Sequence, residues 1–199
     1  MAKGPQYNLP FRRRREGRTD YRKRRGLVVS RSPRFVVRPS TKHLTAQVIE
    51  AKPEGDNVLA SAHSMELKEF GWKGPCGNMP AAYLTGLLAG HRAKASGVSE
   101  AILDIGRHYK GHGSRIFAAA KGALDAGLLI PHEKSALPDV DRVKGKNIAN
   151  YAQLLASEPE SYKRSFAGYL KQKIKPENLE RHFSEVEEKI SGLSAEARK

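Results

Sequence analysis

Nine cations stand within fourteen residues: Arg12, Arg13, Arg14, Arg15, Arg18, Arg22, Lys23, Arg24 and Arg25. A guanidinium is a planar fork that meets a phosphate through two parallel hydrogen bonds. Tyr7, Phe11 and Tyr21 are interleaved with these cations, and an aromatic ring stacks on an unpaired base. The basic character continues through Arg31, Arg34, Arg38, Lys42 and His43. The first 42 residues carry 14 of the 36 Lys and Arg but 2 of the 21 Asp and Glu, so +12 of the formal +15 sits at one end. Such a segment has too little apolar surface to offset the entropy of ordering itself. A polyanion neutralises it, and nucleic acid is the commonest one that fits. The plainer reading is a localisation signal or a solubilising tail. Continuity of charge into the edge of the folded body argues instead that arm and body share one ligand.

Catalytic constellations are weak by comparison. Asp104 ends an apolar run, where a nuclease would hold a metal-binding carboxylate, but that chemistry needs several converging carboxylates. Nothing in the spacing of Glu100 and Asp125 brings them there, so Asp104 reads as a hydrogen-bonded structural residue. His108 and His112 flank Tyr109-Lys110-Gly111, and two histidines without a third ligand make a poor metal site. Gly111-His112-Gly113-Ser114 precedes a helical pattern and offers backbone N–H groups to a phosphate. It lacks the lysine and spacing of a P-loop. Cys76 reads as a loop thiol, and Trp72 as a partly buried anchor with stacking on RNA left open. No catalytic residue, no metal and no cofactor is expected.

Bulk composition agrees with one globular domain carrying extensions. The 199 residues are 39% hydrophobic, with the deficit concentrated in the basic end. One cysteine excludes an intrachain disulfide and a cysteine-built zinc site. No apolar run approaches the roughly 20 residues of a membrane span, and the charged N-terminus does not resemble a signal peptide. A cytoplasmic protein is expected.

The elements that must position the cations follow from local pattern. Phe11 to Arg25 is compatible with a helix basic on all sides, which has only phosphate to pack on. Residues 34–38 form a short β-branched run between Pro33 and Pro39, residues 43–50 alternate, and residues 58–63 alternate again after turn residues. This predicts a three-stranded antiparallel meander. A helix is predicted over 78–95, capped by Asn78 or Met79 with Pro80 in its first turn. Its Gly86 and Gly90 predict close packing on the sheet. Residues 101–105 predict a central strand buried on both faces. Residues 114–126 predict a second helix ended by Gly127, and 128–130 a last short strand. The β-β-β-α-β-α order gives an α/β (α+β) fold, a two-layer mixed sheet with helices on one face. The organisation is a basic arm over 1–32, a core over 33–131 and a helical C-terminal extension over 132–199. The extension predicts three polar helices that lie on a partner's surface.

Several of these segments together resemble a known family. They are FRRRREGRTDYRKR (Phe11 to Arg24), HLTAQVI (His43 to Ile49), GNMPAAYLTGLLAG (Gly77 to Gly90), LDIG (Leu103 to Gly106) and GSRIFAAAKGALDAGL (Gly113 to Leu128). The set resembles the archaeal form of the L-eighteen family of large-subunit ribosomal proteins, over most of residues 5–135. The resemblance implies a non-enzymatic protein that binds 5S ribosomal RNA and helps attach it to large-subunit rRNA within the central protuberance. Neighbouring ribosomal proteins are the implied further partners, and the arm is the implied RNA-contacting element. The alternatives from the residues alone are an RNA-processing enzyme that captures substrate with its arm, or a non-ribosomal nucleic-acid-binding protein such as a DNA compactor.

Overall fold

The computed structural model describes residues 4, 5, 7–108 and 111–196. Tyr109 and Lys110, between the two histidines discussed above, lie outside the described residues.

Four strands make one mixed sheet: β1 (Arg34–Pro39), β2 (Leu44–Lys52), β3 (Gly55–His63) and β4 (Ile102–Asp104), in the order β3-β2-β1-β4. The first three are the predicted antiparallel meander. Val37 pairs with Ala46 across β1 and β2, and Ala46 with Ala62 across β2 and β3, with a bulge between Val48 and Ile49. Alternation decides what each face meets. Phe35, Val37, Leu44, Ala46, Val48, Ala60 and Ala62 join the main core. Arg34, Val36, Arg38, Gln47 and Ile49 line a cleft instead.

β4 runs parallel to β1 and ends the sheet rather than occupying its centre. The apolar run over 101–105 has a different cause from the one predicted. Ala101 is buried, while Leu103 and Ile105 pack against the core and also line the cleft, so this edge strand is covered on two sides. Beyond it, residues 128–130 contribute a single parallel bridge, Glu100 to Leu129, not a strand.

Helix α3 (Met79–Ala95) begins as its sequence predicts. Asn78 is extended, its side chain accepts from Ala81 N at 3.0 Å, and Pro80 sits where its missing N–H costs nothing. Small residues then let helix α4 (Arg115–Asp125) come very close. A Cβ on Gly86 would run into the Ala119 carbonyl. The Gly86/Gly90 stripe was expected to meet the sheet; it meets α4, and the two helices together cover one sheet face.

The C-terminal segment departs further from expectation. It forms α5 (Val140–Lys144), α6 (Lys146–Leu154), α7 (Pro159–Ser165), α8 (Ala167–Lys171) and α9 (Leu179–Glu196), broken at Gly145 and Phe166. The apolar face of α9 packs on this chain's own core and not on a partner, while Tyr151 and Leu154 of α6 and Leu170 of α8 are exposed. Leu179, Phe183, Val186 and Ile190 of α9 are buried in the same cluster as the sheet and α3. Phe183 meets the Tyr83 ring at 5.5 Å, and His182 stacks on Trp72 at 5.2 Å. Trp72 is therefore a buried anchor, 2% exposed, and offers no face to RNA.

Candidate nucleic-acid interface

The arm folds into two helices with a bend between them. Helix α1 (Arg12–Arg15) stops because Gly17 takes a positive φ, and helix α2 (Tyr21–Val29) restarts on Asp20. The Asp20 carboxylate accepts from Arg22 N at 3.1 Å and Lys23 N at 3.2 Å. The Lys23 N–H bond, opposed in part by burial, holds this carboxyl below its usual range. Phe11 and Tyr21 do not stand apart for two bases. Their rings pack on each other at 5.4 Å, pinning α1 to α2.

Most of the predicted cations are presented outward. Arg12, Arg13, Arg14, Arg15, Arg18, Arg22, Lys23, Arg25, Arg31 and Lys42 are exposed, as are the rings of Tyr7 and Phe11. Tyr21, Arg24 and His43 are half-buried. Intramolecular pairing is sparse and solvent-screened: Arg12 and Arg18 both reach Glu16, at 2.9 and 3.1 Å, and Arg13 Nε donates to Thr19. Such exposed pairs are worth little, so those cations are available to a stronger anion.

Arg34 is the exception and a correction. It was expected among the ligand-facing cations, but its side chain is 3% exposed. Nη1 donates to Asp104 Oδ2 at 3.0 Å, and Nη2 lies 3.1 Å from Asp56 Oδ2 without hydrogen-bond alignment. Asp56 also accepts from Arg24 of α2 at 2.8 Å, and Asp104 from Arg38 Nη2 at 3.0 Å. An ion-pair ladder thus runs Arg24–Asp56–Arg34–Asp104–Arg38, from the arm across the sheet to β4. Arg34 holds the arm's platform together and has no free surface for a phosphate.

Asp104 is the ladder's hub, as a structural aspartate should be. Burial works to raise its carboxyl, but the charge and hydrogen bonds of Arg38, the Gly106 N–H at 2.8 Å and Arg34 outweigh that and hold it below the usual range. Gly106 is needed here. Its φ is +61°, and an added Cβ would stand 3.0 Å from the Arg38 guanidinium carbon. Arg38 itself remains 42% exposed, so the fixed guanidinium still faces outward.

One cation escaped sequence reasoning. Arg107 follows Gly106 in the loop after β4, and a Cβ on Gly17 would lie 3.6 Å from its Nη1. With Arg14, Arg22 and Arg25 it borders one groove beside α2. Its charge was visible, but its nearness to residues more than eighty positions earlier was not.

The catalytic candidates do not assemble. His108 is exposed, and a His112 ring nitrogen lies 3.0 Å from the Ser135 carbonyl. Gly113 N donates to Ala136 O, so that N–H is not offered to a phosphate. Cys76 is buried, and burial pushes its thiol up, away from the reactive thiolate. What remains is a densely cationic arm seated on a rigid sheet, which fits a polyanion.

Comparison with known families decides which polyanion. The family model described as ribosomal large subunit proteins 60S L5 and 50S L18 matches residues 5–99 and 93–133. The chain belongs to this family. It is an rRNA-binding protein of the large ribosomal subunit and works in translation at the cytoplasmic ribosome. The matched span takes in the arm, the whole sheet and both helices packed on it. Family membership makes rRNA and other ribosomal proteins its partners.

Proposed function

We propose that this family member binds 5S rRNA and helps anchor it to the large-subunit rRNA in the central protuberance, as a structural component and not an enzyme. The observation that supports this most is the arm: nine exposed cations, bent around Gly17 and tied by Arg24 and Asp56 to the sheet. The domain reading goes with it. Residues 1–32 engage RNA, residues 33–131 aim the arm, and residues 132–199 brace the core. The resemblance of these motifs to the archaeal form supports the archaeal branch as part of the proposal.

RNA contact falls to Tyr7, Phe11, the exposed arginines of the arm, Lys23, Arg31, Lys42 and His43, with Arg38 and Arg107 fixed beside them. Affinity comes from neutralising phosphates and falls with salt. For about eight phosphates the slope of log K against log salt is about −6 to −7. Specificity comes from RNA shape and from unpaired bases, because the A-form major groove is too narrow to read. Gel-shift titrations with 5S rRNA and with tRNA at physiological salt test the proposal. Tighter binding of 5S rRNA is expected, and equal affinity would remove the claim of a specific partner.

A further inference from the structure

A cleft of about 520 Å³ separates the arm from the sheet face that the core helices leave uncovered. Its size falls within the roughly 300–1,000 Å³ typical of small-ligand clefts. Its floor is Val36 and Ile49, its edge is Leu103 and Ile105, and Leu27 of α2 forms part of the opposite wall. Arg13, Arg18 and Lys23 supply a cationic rim. Two polar groups in the lining have unused capacity. Arg34 is 2% exposed, and its Nε N–H has no acceptor among the described residues. Gln47 makes one long bond, Nε2 to Ser61 Oγ at 3.4 Å, which leaves its carbonyl and a second N–H for other partners.

We propose that this cleft takes one extrahelical nucleotide of the bound RNA, with the base inside and its phosphate at the arginine rim. The proposal rests on the RNA-binding reading and adds a base-reading site to it. A phosphate alone does not suit the interior: the floor is apolar, and Asp56 and Asp104 already neutralise the buried cation. A nucleobase suits it better, because its two faces are apolar and its edge carries donors and acceptors. Gln47 is placed to read that edge, and the rim charges meet the backbone on either side.

The test begins without RNA. The full chain with labelled Ile, Leu and Val methyl groups is titrated with each of the four nucleoside monophosphates, ribose 5-phosphate and inorganic phosphate, up to about 10 mM. Base-dependent shifts of Val36, Ile49 and Leu27 methyls are expected, flattened across the four bases in Gln47→Leu. Equal shifts with ribose 5-phosphate or phosphate, or no shift, would overturn the base site whichever RNA the protein binds. The second arm places 2-aminopurine at each unpaired position of 5S rRNA in turn. One position should respond on binding, and Leu27→Ala should abolish that response and weaken affinity about tenfold, the size of one lost base contact. If mononucleotides bind but no RNA position responds, the RNA-borne occupant is wrong. Failure to prefer 5S rRNA over tRNA is read separately by gel shift and leaves the methyl titration intact.

Discussion

Asp104→Asn tests the ion-pair ladder directly. The substitution keeps the shape and one acceptor but removes the charge that two guanidiniums share. Taking one partner from a buried pair costs about 3–5 kcal/mol, because the other charge is left stranded. Both groups here are in that regime, with side chains 3% and 8% exposed. Two features reduce the loss. Arg34 keeps Asp56 at 3.1 Å, and Arg38 is 42% exposed, so water screens what it loses. About 2–3 kcal/mol is therefore expected, as a lower denaturant midpoint with an unchanged slope. The melting temperature should drop by about 4–12 °C for a chain of this size. The pH dependence gives a second readout. The folded carboxyl titrates below its ordinary value of 3.8, so its contribution is complete above that value. It is lost as pH falls through the folded value, because protonation then favours the unfolded chain. Asp104→Asn should lack this acid-limb component. A loss below about 0.5 kcal/mol, or an unchanged acid limb, would show that the ladder contributes no more than a surface pair.

Replacing Arg12, Arg13, Arg14 and Arg15 with Ala should weaken RNA binding and reduce the salt slope by about 3, with the melting temperature nearly unchanged; a large loss of stability would place the arm in the core. Arg107→Ala should weaken RNA binding by a smaller step with little effect on folding, and wild-type affinity in a filter-binding series would remove it from the interface. Gly86→Val should cost at least about 3 kcal/mol in chemical denaturation, because the added carbons meet the Ala119 backbone and no flexible side chain can yield. His182 accepts from Lys73 N at 3.0 Å, and burial, aided by Lys73 and Lys189 against Glu185, lowers its pKa. Its contribution is full at neutral pH and should decline as pH falls below about 6.5, where the unfolded chain gains the proton first. His182→Gln should flatten that limb of the stability profile.

The parts of the fold governed by short-range rules were legible. Alternation in residues 44–63 and the Asn78/Pro80 start of α3 each reflect a local cause, so both were placed to within a few residues. Position within the sheet was not. An apolar run reports covered faces, and β4 has covered faces at an edge because the arm roofs one side. The α9 stripe of Leu179, Phe183, Val186 and Ile190 has clear helical spacing, but the intervening Glu180, Arg181, Glu185, Glu187, Glu188 and Lys189 made the segment read as polar. Its target, Tyr83 on α3, lies a hundred residues away. The candidate interface divides the same way. Charge density revealed the arm, but Arg34 differs from its neighbours only through Asp104, seventy positions along the chain. Arg107 carries no local mark of its proximity to Gly17.

The covering of α3 by α9 has a consequence for synthesis. The ribosome makes proteins from the N-terminus, and domains tend to fold as they emerge. More than eighty residues separate the end of α3 from the start of α9. While those residues are being translated, the cationic arm is already outside, and the groove around Tyr83 still lacks its lid. A nascent chain of this protein can therefore present its cations to RNA before its own interior is closed by α9.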